Sequence, residues 1–159
     1  MSDPVADVVL AFLRERADDE GGLTLLGASD AAWDVLLPSY WKETIAVSLE
    51  LGEWNLRAEA FFMRAPEENL AETFHLFLQR NRRSGPWRFA ANEEGDVSLL
   101  AALPRAAVTE EELDRLLGSL IQVTDETYVP AMKLGYERGL AQQVEQGGPG
   151  LDQPPPWAR

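Results

Sequence analysis

Residues Thr44 to Met63, TIAVSLELGEWNLRAEAFFM, alternate between apolar and polar side chains through two successive runs. Ile45, Val47, Leu49 and Leu51 share one face of the first run, and Trp54, Leu56, Ala58, Ala60 and Phe62 share one face of the second. That period of two belongs to strands with one buried side. Gly52-Glu53 reads as a two-residue connection, with Gly52 at the first position of a type II′ turn, where a positive φ excludes a side chain. The stretch is expected to form an antiparallel hairpin around which the rest of the chain packs, and it holds no catalytic signature.

Before the hairpin, Ser2 or Asp3 can cap a helix that has Pro4 at its first position and Val5, Val9, Phe12 and Leu13 in one stripe. Gly21-Gly22 ends it, Gly27 to Asp30 read as a turn, and Ala32 to Leu37 alternate as a short strand. After the hairpin the period changes to 3.6. Pro66 suits a first helical position, Glu67 and Glu68 favour the positive end of the dipole, and Leu70, Phe74, Phe77 and Leu78 form a stripe. Gly85-Pro86 stops this helix, and a second hairpin follows: Trp87, Phe89 and Ala91, a turn at Asn92 to Asp96, then Val97, Leu99, Ala101 and Leu103.

Thr109-Glu110-Glu111-Glu112 matches a capping box. Leu113, Leu116, Leu117, Leu120, Ile121 and Tyr128 extend one stripe from it, and Pro130 should kink or end that helix. The order is helix, three strands, helix, two strands, helix. Hairpin connections without crossovers give the α+β class, an antiparallel sheet with helices packed on it. Residues 1–140 are expected to form a single domain. Residues 141–159, rich in Gly and Pro, are expected to be a mobile tail in which Pro154 to Pro156 favour polyproline II, read first as a solvated end and only second as a segment that docks an aromatic groove.

A chain of 159 residues buries a core without staples. It has no cysteine and one histidine, His75, which excludes thiol chemistry and metal sites built on several His or Cys ligands. No cofactor is expected. The first residues lack a basic leader region and no apolar run reaches the length of a membrane span, so a soluble cytoplasmic protein is expected, with no membrane partner. A net charge of −13 repels phosphate backbones, disfavours direct nucleic-acid binding and steers basic partners inward.

Motifs for chemistry are missing. His75 sits beside Phe74 and Phe77 on a helix, no G-x-S-x-G or Walker sequence occurs, and Asn92 to Asp96 lack the remainder of a calcium loop. The chain is expected not to be an enzyme. Arg80, Arg82, Arg83 and Arg88 with Trp87 form the one basic-aromatic patch, a composition that can stack on a nucleic acid or hold an acidic peptide, or that simply complements a helix end. Phe61 and Met63 alternate with the presumed core face and are read as an outward apolar patch covered by a partner chain or second subunit. Trp41, Phe61, Met63 and Trp87 are the expected protein-contact residues.

The segments WDVLLPS (Trp33 to Ser39), FFMRAPEEN (Phe61 to Asn69), FLQRNRR (Phe77 to Arg83), EEGDVSLLAALP (Glu93 to Pro104) and AVTEEELDRLLG (Ala107 to Gly118) together resemble the YbjN family. The resemblance runs from about Trp33 to Tyr136. It implies a fold like that of type III secretion chaperones, a twisted antiparallel sheet flanked by helices in the order α-β-β-β-α-β-β-α, commonly homodimeric. It further implies a chaperone-like adaptor or regulator of the sensory transduction kind that holds a protein client along its sheet and helix surfaces and an exposed strand edge. The charge favours a client that is basic or itself binds nucleic acid. The alternative is a small-ligand sensor with a pocket between sheet and helices.

Overall fold

The computed structural model describes residues 2–148 and 150–158. Helix α1 (Pro4–Ala17) starts as the sequence predicts: the Asp3 carboxylate accepts from the Val5 N–H at 3.0 Å, and Pro4 takes the first turn. Strands β1 (Thr24–Ala28), β2 (Ala32–Ser39), β3 (Glu43–Leu51) and β4 (Asn55–Met63) follow. Helix α2 (Leu70–Arg80), strands β5 (Arg88–Ala91) and β6 (Val97–Pro104), and helices α3 (Glu110–Gly135) and α4 (Glu137–Glu145) complete the chain.

The strands form one antiparallel sheet in the order β1-β2-β3-β4-β6-β5. The class is α+β, as expected. Alternation of buried and exposed residues along β2, β3 and β4 as far as Phe62 shows that, among the described residues, helices cover one face only. Beneath them Val9, Leu13, Trp33, Leu49, Leu56, Phe62, Leu99, Leu113 and Leu120 pack into a single core. Four aromatic rings organise its far end: Phe62 meets Phe77, Phe89 and Tyr128 edge to face, and Phe77 stacks on Phe89 at 4.7 Å.

Several details depart from the sequence reading. Strand β1 adds a fourth strand before α2. A bulge at Leu26 interrupts its pairing with β2, so the short run shows no clean alternation. The hairpin turn is shifted by one residue: Gly52 pairs with Asn55, N–H to carbonyl at 2.8 Å, and Glu53-Trp54 form the turn. Gly52 does not have positive φ. Trp54 therefore lies at the tip, 75% exposed, instead of on the core face. Arg105 fastens this tip. Its backbone N–H donates to the Trp54 carbonyl, its guanidinium donates to the Gly52 carbonyl and pairs with Asp3, and the pairing lowers the Asp3 pKa.

Helix α2 begins at Leu70, after a left-handed Asn69, and not at Pro66. The Glu68 carboxylate instead accepts from the Arg138 N–H at 2.6 Å, in the first turn of α4, where a helix dipole favours an anion. Leu70 and Leu78 of the expected stripe are exposed, while Phe77 is buried. Thr109 caps α3 through the Glu112 N–H, but the Glu112 carboxylate turns to Arg115 instead of closing the capping box. Pro130 lies inside α3, which runs on to Gly135. Helix α4 crosses the expected domain boundary at 140 and ends at Glu145.

Candidate functional site

Among the described residues no helix lies over the outer face of the sheet. Its cross-strand register places Leu36 beside Ala46, and Phe61 beside Ser98, which in turn meets Ala90. These side chains are small or apolar. The neighbouring positions are mostly charged: Asp34 pairs with Ser48, Glu59 with Leu100, and Leu100 with Arg88. The Arg57–Glu50 ion pair at 2.9 Å and the Ser48 hydroxyl bonded to Asp34 at 2.8 Å consume part of that polarity locally. A shallow hollow of about 690 Å³, lined by Ser48, Arg57, Glu59, Arg88, Leu100 and Ala102, lies over β3, β4 and β6. Small side chains at its floor let another backbone approach closely.

The two sheet edges differ. On β5, the Asn81 side chain at the end of α2 behaves as one residue of an extra strand. Its carboxamide oxygen accepts from the Phe89 N–H at 2.7 Å, and its nitrogen donates to the Phe89 carbonyl at 3.2 Å. Strand β1 has only β2 as partner, and among the described residues no side chain bonds to its outer edge. Its sequence, Thr-Leu-Leu-Gly-Ala, contains no charge and no proline, and Leu26 is 58% exposed. Such an edge is open to pairing.

Two of the four expected contact residues come together at one end of the sheet. Trp41 lies in the turn between β2 and β3, half-buried, with the Tyr40 ring edge-on at 5.0 Å. Asp125 of α3 fixes this turn by accepting from the Ser39 hydroxyl at 2.7 Å and from the Tyr40 and Trp41 N–H groups. Lys42 follows. Its ammonium lies over the Phe61 ring, 5.3 Å from the centroid, and donates to the Phe61 and Phe62 carbonyls at 2.9 and 2.7 Å. Burial pushes the Lys42 pKa down to about 8. Phe61 itself is 45% exposed on the outer face.

Met63 and Trp87 are placed otherwise. The β4–β6 register passes from Phe61 opposite Ser98 to Met63 opposite Val97, so Phe62 is the extra residue of a bulge. The bulge reverses the alternation. Phe62 and Met63 both turn into the core, Met63 only 3% exposed, in place of the outward position that period two predicts. Trp87 is wholly buried, and its indole N–H donates to the Leu116 carbonyl of α3 at 2.9 Å. The basic patch is therefore without its aromatic platform. Arg80, Arg82 and Arg83 line an open groove of about 700 Å³ with Val123, Glu126 and Thr127, and among the described residues none of the three makes an ion pair.

Other candidates resolve simply. His75 is on the exposed side of α2. The Asn92 to Asp96 segment is a turn closed by the Gly95 N–H on the Asn92 carbonyl, with Asp96 accepting from the Ala65 N–H at 2.8 Å. An apolar cleft of about 200 Å³ between α2 and β5 is lined by Phe74, Phe77, Leu78 and Phe89. No described helix is long and apolar enough to cross a membrane. Sequence reasoning missed Asn81, Lys42 and Asp125. Lys42, one of the chain's two lysines and the one next to Tyr40-Trp41, carried a weak signal, whereas a helix-ending Asn and a mid-helix Asp carried none.

Protein comparisons agree with this architecture. Rv0487 of Mycobacterium tuberculosis is 32% identical over 117 residues, 74% of this chain and 64% of the relative. ML2442 of Mycobacterium leprae is 28% identical over 95 residues, 60% of this chain and 52% of the relative. The match thus spans about half to two-thirds of the length of these mycobacterial proteins. Among solved structures, a chain of the ExsC–ExsE complex matches with a TM-score of 0.52 at 21% identity, covering 86% of this chain and 98% of its own length. A chain of the heterodimeric ExoU–SpcU complex from the type III secretion system of Pseudomonas aeruginosa matches with a TM-score of 0.50 at 14% identity, covering 80% and 97%. These likenesses establish the fold. The profile of the YbjN family, described as "Putative bacterial sensory transduction regulator", matches residues 6–132, and the chain belongs to that family.

Proposed function

We propose that the protein is a non-enzymatic, chaperone-like adaptor or regulator that binds a protein partner on the helix-free face of its sheet. One observation carries this reading: among the described residues a six-stranded sheet is covered on one side only, and the bare side joins an apolar strip to charged neighbours. Phe61 and the Trp41 turn border that face at one end, and the unpaired β1 edge offers strand addition at its side. The chains it resembles in fold come from two-protein complexes, ExsC–ExsE and ExoU–SpcU, which supports a protein as partner here. A net charge of −13 favours a basic partner, including one that itself binds nucleic acid. A cytoplasmic homodimer is part of the same proposal, and sedimentation across a concentration series tests the self-association.

The discriminating experiment is a tagged pull-down from native extract at low and high salt, with wild type, Phe61→Glu, Leu100→Glu and Leu26→Lys compared. One stoichiometric partner, released by salt and weakened by the two outer-face charges, is expected. Leu26→Lys should weaken it further if the β1 edge is used. Retention of the partner by both outer-face variants would refute the face. Salt-insensitive retention by wild type would refute the basic partner. The ligand-sensor alternative has the α2–β5 cleft in its favour, but at about 200 Å³ it is smaller than pockets that enclose a drug-sized ligand, roughly 300–1,000 Å³.

A further inference from the structure

The described residues after α4 form no helix or strand, yet three points hold them against the body. Lys133 on α3 pairs with Asp152 at 2.6 Å. The Trp157 indole N–H donates to the Tyr40 carbonyl at 2.7 Å. Between them Pro155 is buried, the one buried residue among the described positions from 146 to 158. The middle proline of Pro154-Pro155-Pro156 thus falls, along the chain, between two anchors, Asp152 on the C-terminal half of α3 and Trp157 on the β2–β3 turn.

We infer that this surface, marked by Tyr40 and Lys133, is a docking site for proline-rich segments of a partner protein, which the chain's own residues 152–157 occupy in the absence of that partner. The surface has the chemistry such segments need. Tyr40, 45% exposed, supplies a carbonyl that accepts from the Trp157 indole and a ring that meets the Trp41 ring edge to face. It is also formed in advance, because Asp125 holds the Ser39 hydroxyl and the Tyr40 and Trp41 N–H groups in place. Prolines arrive with φ already fixed and lose little entropy on docking, and in the chain's own segment a turn closed by the Ala158 N–H on the Pro155 carbonyl at 3.0 Å presents Trp157.

The hold in cis is slight. The Lys133–Asp152 pair is solvent-exposed on both sides, and such pairs contribute little. What remains is one indole hydrogen bond and one buried proline ring, and Trp157 stays 42% exposed. The local segment has the advantage of high effective concentration, which a partner with a longer matching stretch overcomes. The inference deepens the protein-binding reading by naming a segment class, and it rests on that reading only for the existence of a partner.

The test uses the full chain and a labelled peptide of residues 150–158. In the full-length double variant Pro155→Ser, Trp157→Ala the site is vacated. Fluorescence anisotropy should show the peptide binding this variant at least tenfold more tightly than wild type. Alanine at the peptide's tryptophan or at its three prolines should abolish the binding. Equal binding to both chains, or no binding to a double variant whose circular dichroism and Tm match wild type, overturns the inference. A wild-type dimer that dissociates on the double substitution identifies the occupant as a second copy and overturns the assignment to a partner protein. Because the assay contains no client, its failure leaves the outer-face reading standing, and loss of the client in Leu100→Glu with peptide binding intact separates the two.

Discussion

Replacing Asn81 by alanine removes a side chain that belongs to a helix by sequence and to a sheet by contact. Two hydrogen bonds to Phe89 are lost, at 2.7 and 3.2 Å, both partly buried. At about 0.5–1.5 kcal/mol each, the pair amounts to about 1–3 kcal/mol. For a chain of this length 1 kcal/mol moves Tm by about 2–4 °C, so the middle of the range predicts a fall of about 4–8 °C. The sign separates this role from a helical one. Alanine is the best helix former, so if Asn81 acted only at the end of α2 the substitution would be neutral or stabilising. The variant also exposes the Phe89 N–H and carbonyl on an edge four residues long, which invites pairing with another chain. Thermal denaturation by circular dichroism, amide exchange at Phe89 and sedimentation velocity read the three consequences. An unchanged or raised Tm with unchanged Phe89 protection would refute the reasoning.

Lys42 predicts an alkaline gain in stability. Its pKa is about 8 when folded against the usual 10.5, so between these values the unfolded chain holds a proton that the folded chain has released. Stability should therefore rise from pH 8 towards 10, by about 1–3 kcal/mol, and urea titrations of Lys42→Met should lack that rise. Burial raises the pKa values of Tyr128 and Tyr136, so above about pH 10 the unfolded chain deprotonates first and stability should fall again. Trp87→Phe should cost about 1–3 kcal/mol in chemical denaturation, since it opens space in the core and strands part of a buried hydrogen bond, whereas Trp54→Ala at the exposed tip should stay within about 0.5 kcal/mol of wild type. Gly22→Ala should destabilise by about 1–3 kcal/mol by the same measurement, because the added Cβ would collide with the Arg16 carbonyl at the end of α1.

Regular patterns were legible and interruptions were not. The alternation of Thr44 to Met63 fixes the central hairpin and its buried face, since a one-residue slip would turn Ile45, Val47 and Leu49 to solvent. Its turn was misplaced because the glycine suggested a special conformation that the chain does not adopt there. Bulges account for two other departures. An extra residue at Leu26 disguises β1, and one at Phe62 sends Met63 inward, while in the sequence both appear only as consecutive apolar residues, LL and FFM. Pro130 continues α3 because the carbonyl it cannot bond, four residues back at Glu126, belongs to an exposed residue on the solvent side.

The candidate site was less legible than the fold because its parts meet through tertiary contacts. Trp87 looked like a stacking platform beside four arginines, yet its indole is spent on the Leu116 carbonyl, 29 positions away. Lys42, next to Trp41 in the turn, sets its ammonium over the Phe61 ring, and that turn is held by Asp125, 84 positions on from Trp41. The edges extend the same argument. A sheet with two free edges risks uncontrolled pairing, and the chain blunts β5 with Asn81 while leaving β1 uncharged, without proline and with Leu26 projecting. That asymmetry bears on function. An edge left open beside a bare, half-apolar sheet face is consistent with a surface that another chain covers, so strand addition at β1 and docking on the outer face can belong to one binding event.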